Sequence, residues 1–246
     1  MIPSGLSQTP QDGLLIQPFL RLELGPRELI LIQPSSSAIV SLLGLLTVAC
    51  GVYFLKLGGV QHSRRRWGTT LLLWGIGALL AGMSYEAFSY VIKCAGRAIC
   101  LGTSGWKVLY LIASVWSIDA MVAAEAWSCA GGRARRAMFI DAGLHAAACL
   151  GAVLQDAFRP VPFLFNLDRY VRSMSGLERA SIAAWLCLGV MIAACNLYDA
   201  SGLTQPLWRT GTWFSGNDVL HPGLIVWMIV LALAVAPRLE DQRDAA

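Results

Sequence analysis

The chain has 246 residues, of which 56% are hydrophobic and only 14% are charged, and its mean hydropathy is +0.59. Because an average soluble domain carries about 25% charged residues, this composition excludes a soluble globular domain and favours a chain that lies in a lipid bilayer. The net charge is +4, and short arginine clusters occur between apolar runs at 64–66 and 133–136. That pattern is typical of cytoplasmic loops and not of a nucleic-acid-binding surface.

The predicted elements begin with a mixed, proline-interrupted segment at 1–33, which we interpret as an exposed N-terminal tail able to lie along the membrane interface. A transmembrane helix bundle is predicted over 34–238, and a short polar C-terminal tail over 239–246. A helix needs about 20 mostly apolar residues to cross the hydrocarbon core. Apolar runs of about this length occur at 36–56, 69–92, 106–130, 137–156, 180–198 and 219–236.

The segment 157–168 decides the number of crossings. It is apolar, but it contains two prolines and is too short to cross as a regular helix. With the N-terminus outside, both arginine clusters lie in the cytoplasm, and a crossing at 157–168 returns Arg169, Arg172 and Arg179 there as well. We therefore predict an all-α, polytopic integral membrane helix bundle with six to seven transmembrane helices. The expected location is a cell membrane, namely the bacterial inner membrane.

Ionisable side chains inside the predicted spans need a partner or a water-filled cavity, which makes them the candidate functional residues. Asp119 lies near the centre of the third span, where an unpaired carboxylate costs about 3 kcal/mol on insertion scales. Glu86 lies in the outer part of the second span and shares a helix face with Tyr90 and Lys93. A hydrogen bond to a neighbouring helix is the structural alternative for Glu86, and for Asp119 the alternative is helix packing.

A spacing of four residues places Asp141 and His145 on one face of the fourth span. Such a pair can orient an imidazole for metal binding or proton transfer. It is also common as a satisfied polar pair near a helix end. Both interpretations stay open on the sequence alone.

Two of the seven cysteines, Cys94 and Cys100, lie in the loop that follows the second span. A disulfide would close this loop in an oxidising compartment, and two reduced thiols at the membrane interface are the alternative. The cysteines include no CxxC pair and no regular framework, so they indicate neither a disulfide scaffold nor a zinc knuckle.

The last span opens with the sequence SGNDVLHPG. As an N-cap, Asp218 would accept a backbone N–H of the first turn, and its charge would complement the helix dipole. A cap does not account for His221, which stays a candidate functional residue. The candidate polar cluster as a whole comprises Glu86, Asp119, Asp141, His145, Asp218 and His221.

Two blocks, SYEAFSYVIKCAGRAIC and WFSGNDVLHPGLIVWM, resemble an uncharacterised bacterial multi-pass membrane protein family whose last helix opens with Asn-Asp-x-x-His. More distantly, the arrangement resembles the CREST superfamily, which includes alkaline ceramidases and the progestin and adipoQ receptors. That resemblance implies seven helices and, for the hydrolase members, a zinc ion held by three histidines that cleaves lipid amides. Only His221 matches the motif, since Ile225 stands where a second histidine usually follows.

Three functions fit the sequence. The first is a non-catalytic accessory or structural membrane subunit with a polar intramembrane cluster, acting in a homo-oligomer or a larger membrane complex. The second is a membrane-embedded, metal-dependent lipid hydrolase in which His221, Asp218 and Glu86 hold zinc and its water. The third is a proton-coupled or small-solute transporter. A haem between His145 and His221 is a further alternative.

Overall fold

The computed structural model describes residues 9–10, 19–24, 27–97, 99–101, 104–154 and 178–241. The strands are β1 (Thr9–Pro10), β2 (Phe19–Leu24), β3 (Arg27–Ile32) and β4 (Ile99–Cys100). The helices are α1 (Pro34–Gly58), α2 (His62–Ala81), α3 (Ser89–Lys93), α4 (Gly105–Cys129), α5 (Gly132–Leu154), α6 (Glu178–Ser201), α7 (Thr204–Arg209) and α8 (Gly216–Val230). A π-helical segment, Gly82–Ala87, continues α2, and α8 continues through Leu231–Val235 and Ala236–Arg238.

An antiparallel hairpin precedes the first helix, where the sequence predicted an exposed tail. Strand β2 pairs with β3 in a register that places Phe19 opposite Ile32. Ile30 and Ile32 are buried, because β3 packs against α3 and the π-helical segment. The alternation of apolar and other residues along β2, FLRLEL, is the period expected of a strand.

Glycines allow α1 and α2 to pack very closely. A Cβ atom at Gly51 would lie 2.9 Å from the carbonyl oxygen of Gly68, and one at Gly44 would lie 3.1 Å from that of Gly75. Gly44 and Gly51 are seven residues apart on α1, and Gly68 and Gly75 are seven residues apart on α2. The glycines therefore recur on one face of each helix, and the two backbones can approach each other.

Close packing joins the long helices in the order α6, α8, α1, α2, α4, α5. Consecutive helices in this row are antiparallel except α8 and α1. For α6 and α8 this follows from the contacts that Cβ atoms at Gly216 and Gly223 would make with Asp199 and Met191. The core lies along the row, where α8 meets its neighbours; it includes Leu43, Phe54, Trp67, Leu71, Ala124, Ala184, Trp227 and Met228.

Five of the described helices are long and apolar enough to cross a membrane. They are Pro34–Gly58, His62–Ser84, Gly105–Ser128, Ala183–Ser201 and Gly216–Arg238. Helix α5 has 23 residues and, like α2, begins with an arginine cluster. The fourth predicted span is therefore helical but not among these five, and the segment 157–168 lies outside the described residues.

The two ends of the bundle differ in chemistry. The hairpin end contains the hairpin, the first turns of α1, α4 and α8, and a disulfide between Cys94 and Cys100. The arginine end contains the clusters 64–66 and 133–136, because α1 connects to α2 and α4 connects to α5 there. Both clusters therefore lie at the end opposite the disulfide.

The C-terminal segment is folded onto the arginine end, where the sequence predicted a polar tail from 239 onwards. The carboxylate of Asp241 accepts hydrogen bonds from the backbone N–H groups of His62 and Ser63, each at 2.7 Å. The Nε of Arg64 donates to the carbonyl oxygen of Leu239 at 2.7 Å. Asp241 thus satisfies the first turn of α2, whose own N-cap residue, Gln61, makes no side-chain capping bond.

Candidate functional site

A carboxylate, an imidazole and a thiol form a hydrogen-bonded chain between α4 and α5. The Oδ1 of Asp119 lies 2.7 Å from Nδ1 of His145, and the other ring nitrogen, Nε2, lies 3.5 Å from Sγ of Cys149. The thiol is 3% exposed, and the side chains of Asp119 and His145 are 14% and 11% exposed. We call this group the thiol site.

The thiol site exists because one face of α5 packs against α4. His145 and Cys149 are four residues apart and therefore follow each other on a helix face. Asp119 reaches this face from the middle of α4. Asp141, although it shares the same spacing with His145, is exposed, and the carboxylate in contact with the imidazole is that of Asp119.

Contacts at the arginine end hold α4 and α5 in register. The Nε of Arg135 donates to the carbonyl oxygens of Ala126 and Ala130, at 3.3 and 2.9 Å. Its guanidinium lies 4.4 Å from the ring centre of Trp127, and the ring of His62 stacks on the same indole at 4.4 Å. The turn between the two helices is therefore fixed to the start of α2.

A hydrogen bond in the bundle interior holds α4 against α2. The hydroxyl of Ser117, two residues before Asp119, donates to the carbonyl oxygen of Thr70 at 3.1 Å. Both residues are buried. Asp119 is thus presented to α5 from a helix that is anchored on its other side.

The chemistry of the thiol site follows from the direction of its hydrogen bonds. An ionised Asp119 selects the imidazole tautomer whose Nδ1–H donates to the carboxylate. The lone pair on Nε2 then faces the thiol and can accept its proton. The arrangement is that of a nucleophile, a general base and an orienting carboxylate, on two helices that pack directly together.

A second polar group, which we call the serine junction, joins the first turns of α1 and α8. The Oδ2 of Asp218 accepts hydrogen bonds from the hydroxyl of Ser36 at 2.8 Å, from the backbone N–H of Ser215 at 2.7 Å and from its hydroxyl at 3.0 Å. All three residues are buried. Because Ser36 belongs to α1 and Asp218 to α8, their hydrogen bond fixes the relative position of the two helices.

The structure corrects the predicted role of Asp218. Ser215 is the N-cap of α8, and Asp218 is the third helical residue, which completes a capping box by accepting the N–H of Ser215. The preference for Asp at an N-cap led to the wrong position, because a serine three residues earlier begins the same pattern. His221 consequently lies in the second turn of the helix.

Two residues of the predicted metal set, Asp218 and His221, lie three residues apart on α8. In the part of the chain that the structure describes, no group of three or more His, Cys, Asp or Glu side chains is arranged to hold a metal ion. At the thiol site, Asp119 and Cys149 contact opposite nitrogens of His145 and so do not converge on one point. Glu86 lies in the π-helical segment, and its side chain is outside the description.

The six predicted cluster residues divide between separate helix pairs. Asp119 and His145 meet between α4 and α5, whereas Asp218 and His221 lie on α8, which packs against α1 and α6. Among the described residues, the Nδ1 of His221 is buried without a hydrogen-bond partner. Two of the five predicted residues with a described environment therefore lie in contact, and they do so at the thiol site.

Sequence reasoning missed Cys149, Ser36 and Ser215. The signal for Cys149 was present, since a cysteine follows His145 at helical spacing, but the partner sought for the imidazole was Asp141. Ser36 could not be assigned a distant partner from the sequence, because its acceptor lies 182 residues away. Glu125, buried on α4 with Oε1 unpaired, is a further polar residue outside the predicted cluster.

Comparisons with protein-family models, with curated proteins and with solved structures find no match to this chain.

Proposed function

We propose that the chain crosses a bacterial inner membrane seven times, with its N-terminus outside. The five apolar spans and α5 give six crossings. Because α5 ends at the hairpin end and α6, antiparallel to α8, begins at the arginine end, the chain between residues 154 and 178 connects opposite ends. A stretch of that length is sufficient to traverse about 30 Å of hydrocarbon. The helix directions support a seventh crossing.

The same orientation agrees with two independent features of the ends. Arginine clusters are expected on the cytoplasmic side, and a disulfide is expected in an oxidising compartment. The arginine clusters lie at the arginine end and the disulfide lies at the hairpin end, so the two features are on opposite sides of the bundle. Cysteine accessibility to a membrane-impermeant maleimide, at single cysteines introduced at Gly59 and Gly96, tests the orientation; labelling of the Gly59 position in intact cells contradicts it.

Within this bundle, the thiol site supports a membrane-embedded, cysteine-dependent acyl-transfer enzyme better than it supports any other function. The observation behind this proposal is the continuous chain from Asp119 through His145 to Cys149. A structural polar pair needs only the carboxylate and the imidazole. The thiol adds a nucleophile at the position where the base can activate it.

The reaction proceeds in two steps. The thiol proton of Cys149 moves to Nε2 of His145, and the sulfur attacks the carbonyl carbon of a membrane-held ester or thioester. The bond from that carbon to the leaving oxygen or sulfur breaks, and the imidazolium returns its proton to the leaving group. An acyl thioester on Cys149 results, and water or an alcohol then accepts the acyl group through the same base.

The test is direct detection of the acyl thioester. Purified protein in nanodiscs is incubated with a long-chain acyl thioester, and the peptides are analysed by mass spectrometry before and after neutral hydroxylamine. We expect a hydroxylamine-sensitive acyl group on Cys149. A matched control is Cys195, whose thiol lies 3.9 Å from the Asp199 carboxylate and 3.6 Å from the Gly216 carbonyl oxygen. Equal acylation of both cysteines contradicts the proposal.

A non-catalytic accessory subunit is the second candidate, and the serine junction favours it. There Oδ2 of Asp218 accepts hydrogen bonds from hydroxyl and backbone donors, and such bonds are what a purely structural bundle requires of a buried polar group. In that case Cys149 remains unacylated and the protein copurifies with a larger membrane complex under mild detergent. A monodisperse single chain that forms the acyl thioester excludes this alternative.

A further inference from the structure

A groove opens at the hairpin end between α3 and the beginning of α4. Its volume is about 560 Å³, within the range of small-molecule sites. Apolar side chains form most of its walls, and Arg97 and Ser104 supply polar groups; the lining residues are Ile92, Arg97, Leu101, Ser104, Gly105, Trp106 and Leu109. The thiol site lies deeper along α4, so the groove is a separate feature.

The disulfide loop holds Arg97 over this groove. Cys94 and Cys100 close the loop on either side of the arginine. The Nη1 of Arg97 donates to the carbonyl oxygens of Ile92 and Lys93, at 3.1 and 3.0 Å, and its backbone N–H donates to that of Cys94 at 3.0 Å. The guanidinium is exposed but fixed, because both its backbone and its side chain are tied to the end of α3.

Positive charge is concentrated around the groove. Lys93 and Lys107 adjoin the lining residues Ile92 and Trp106 in the sequence. Burial, and then the neighbouring ammonium group of Lys107, lower the pKa of Lys93 below its usual value. A bound anion would interact favourably with the cationic side chains at this end of α3 and α4.

We propose that this groove binds the phosphate headgroup of an anionic phospholipid, with one acyl chain lying against Leu109 and Trp106. Arg97 supplies the hydrogen bonds to the phosphate, as guanidinium groups commonly do. The apolar walls favour a lipid over free phosphate, because free phosphate has no apolar surface that could pack against them. Trp106 is 48% exposed at the first turn of a spanning helix, a position typical of the membrane interface.

The site requires neither the thiol chemistry nor the serine junction. It recognises a phosphodiester with a net negative charge and therefore separates phosphatidylglycerol from zwitterionic phosphatidylethanolamine. Basic pockets at the ends of spanning helices bind lipid headgroups by this charge selection. The disulfide contributes by limiting the motion of Arg97, so its reduction weakens binding without removing any charge.

Native mass spectrometry of the full chain in detergent tests the site with phosphatidylglycerol and phosphatidylethanolamine of the same acyl chains. We expect selective retention of phosphatidylglycerol by the wild type. In Arg97→Ala we expect binding about fivefold weaker, the factor for one basic residue near an anionic headgroup. The matched control is Arg133→Ala, which removes an exposed arginine at the opposite end and leaves binding unchanged.

Three outcomes overturn the proposal. Equal retention of the two lipids removes charge selection, and unchanged binding by Arg97→Ala removes the assigned residue. Displacement of phosphatidylglycerol by millimolar inorganic phosphate shows that the acyl chain contributes nothing and that the groove is a site for free phosphate. An unchanged thermal unfolding midpoint for Arg97→Ala ensures that a loss of binding reports on the groove and not on folding.

Discussion

The thiol site and the serine junction contain the same chemical group, an aspartate between two helices, in opposite surroundings. Asp218 gives one oxygen to three donors from Ser36 and Ser215. Asp119 gives one oxygen to an imidazole whose other nitrogen contacts a thiol. Hydroxyl and backbone N–H donors can satisfy a carboxylate, but they cannot accept a proton from a nucleophile at this position. The two sites therefore differ in the group that is hydrogen-bonded to the aspartate, and not in the aspartate itself.

Buried oxygens without a hydrogen-bond partner do not distinguish the thiol site from the serine junction. Among the described residues, each aspartate keeps one buried oxygen without a hydrogen-bond partner, Oδ2 in Asp119 and Oδ1 in Asp218. An unpaired buried oxygen is therefore a weak indicator of function in this bundle. The continuation of the hydrogen-bond chain to a second reactive group is the feature found only at the thiol site among these two.

Replacing Cys149 by Ala has the largest expected effect. Acyl-enzyme formation falls to the level of the background reaction, because the variant lacks the thiol that forms the acyl thioester. The measurement is the amount of hydroxylamine-sensitive acyl group per chain. Cys195→Ala, which removes a thiol beside a carboxylate but without an imidazole contact among its described bonds, leaves the amount unchanged. Retained acylation in Cys149→Ala refutes the assignment.

Asp119→Asn keeps the shape of the site but removes the charge that selects the imidazole tautomer. The amide can donate to Nδ1 and turn Nε2 into a donor, so the base is lost. We expect the rate of Cys149 alkylation by iodoacetamide to fall by about 10²–10⁴-fold, the range for loss of general-base catalysis. Asp218→Asn serves as the control at the serine junction and leaves that rate unchanged. Equal rates in wild type and Asp119→Asn would reduce the site to a polar pair.

Asp218→Ala is expected to lower the stability of the fold and to leave the reactivity of Cys149 unchanged, the opposite of the effect expected for Asp119→Asn. The substitution leaves Ser36 and Ser215 with buried donors that have lost their acceptor, at a cost of about 2–4 kcal/mol in the free energy of unfolding. Thermal unfolding in detergent measures this loss. Alkylation of Cys149 in the folded fraction stays at the wild-type rate. A large change in that rate would show that the two sites are coupled.

The sequence was sufficient for a mostly helical chain whose described part contains five helices long and apolar enough to span a membrane. It also led to Asp119 and His145 individually, because an ionisable residue within an apolar span is conspicuous. It did not lead to their pairing, since the choice between Asp141 and Asp119 depends on which face of α5 packs against α4. Local spacing favoured Asp141, and tertiary packing selected Asp119.

Contacts at the N-terminal and C-terminal ends were beyond local reasoning for a different reason. The hairpin has short strands whose alternation was outweighed by the prolines around it. The capping of α2 by Asp241 joins residues 178 and 179 positions apart, and a chain end with several charges otherwise indicates a solvated tail. In both regions the backbone donors were predictable, but their acceptors were not.

Asp241 gives the smallest expected effect and extends the comparison to a carboxylate outside the membrane. Burial opposes its ionisation, but the backbone N–H groups of Ser63 and His62 outweigh burial and hold its pKa below the usual value. Its contribution is therefore present above the unfolded pKa of about 3.9 and is lost as the pH falls through the lower folded pKa. We expect Asp241→Asn to cost about 0.5 kcal/mol near neutral pH, since the group is partly exposed. The difference in unfolding midpoint between this variant and the wild type should vanish below the folded pKa. A difference that persists in acid would mean that shape alone, without charge, holds the C-terminal segment on α2.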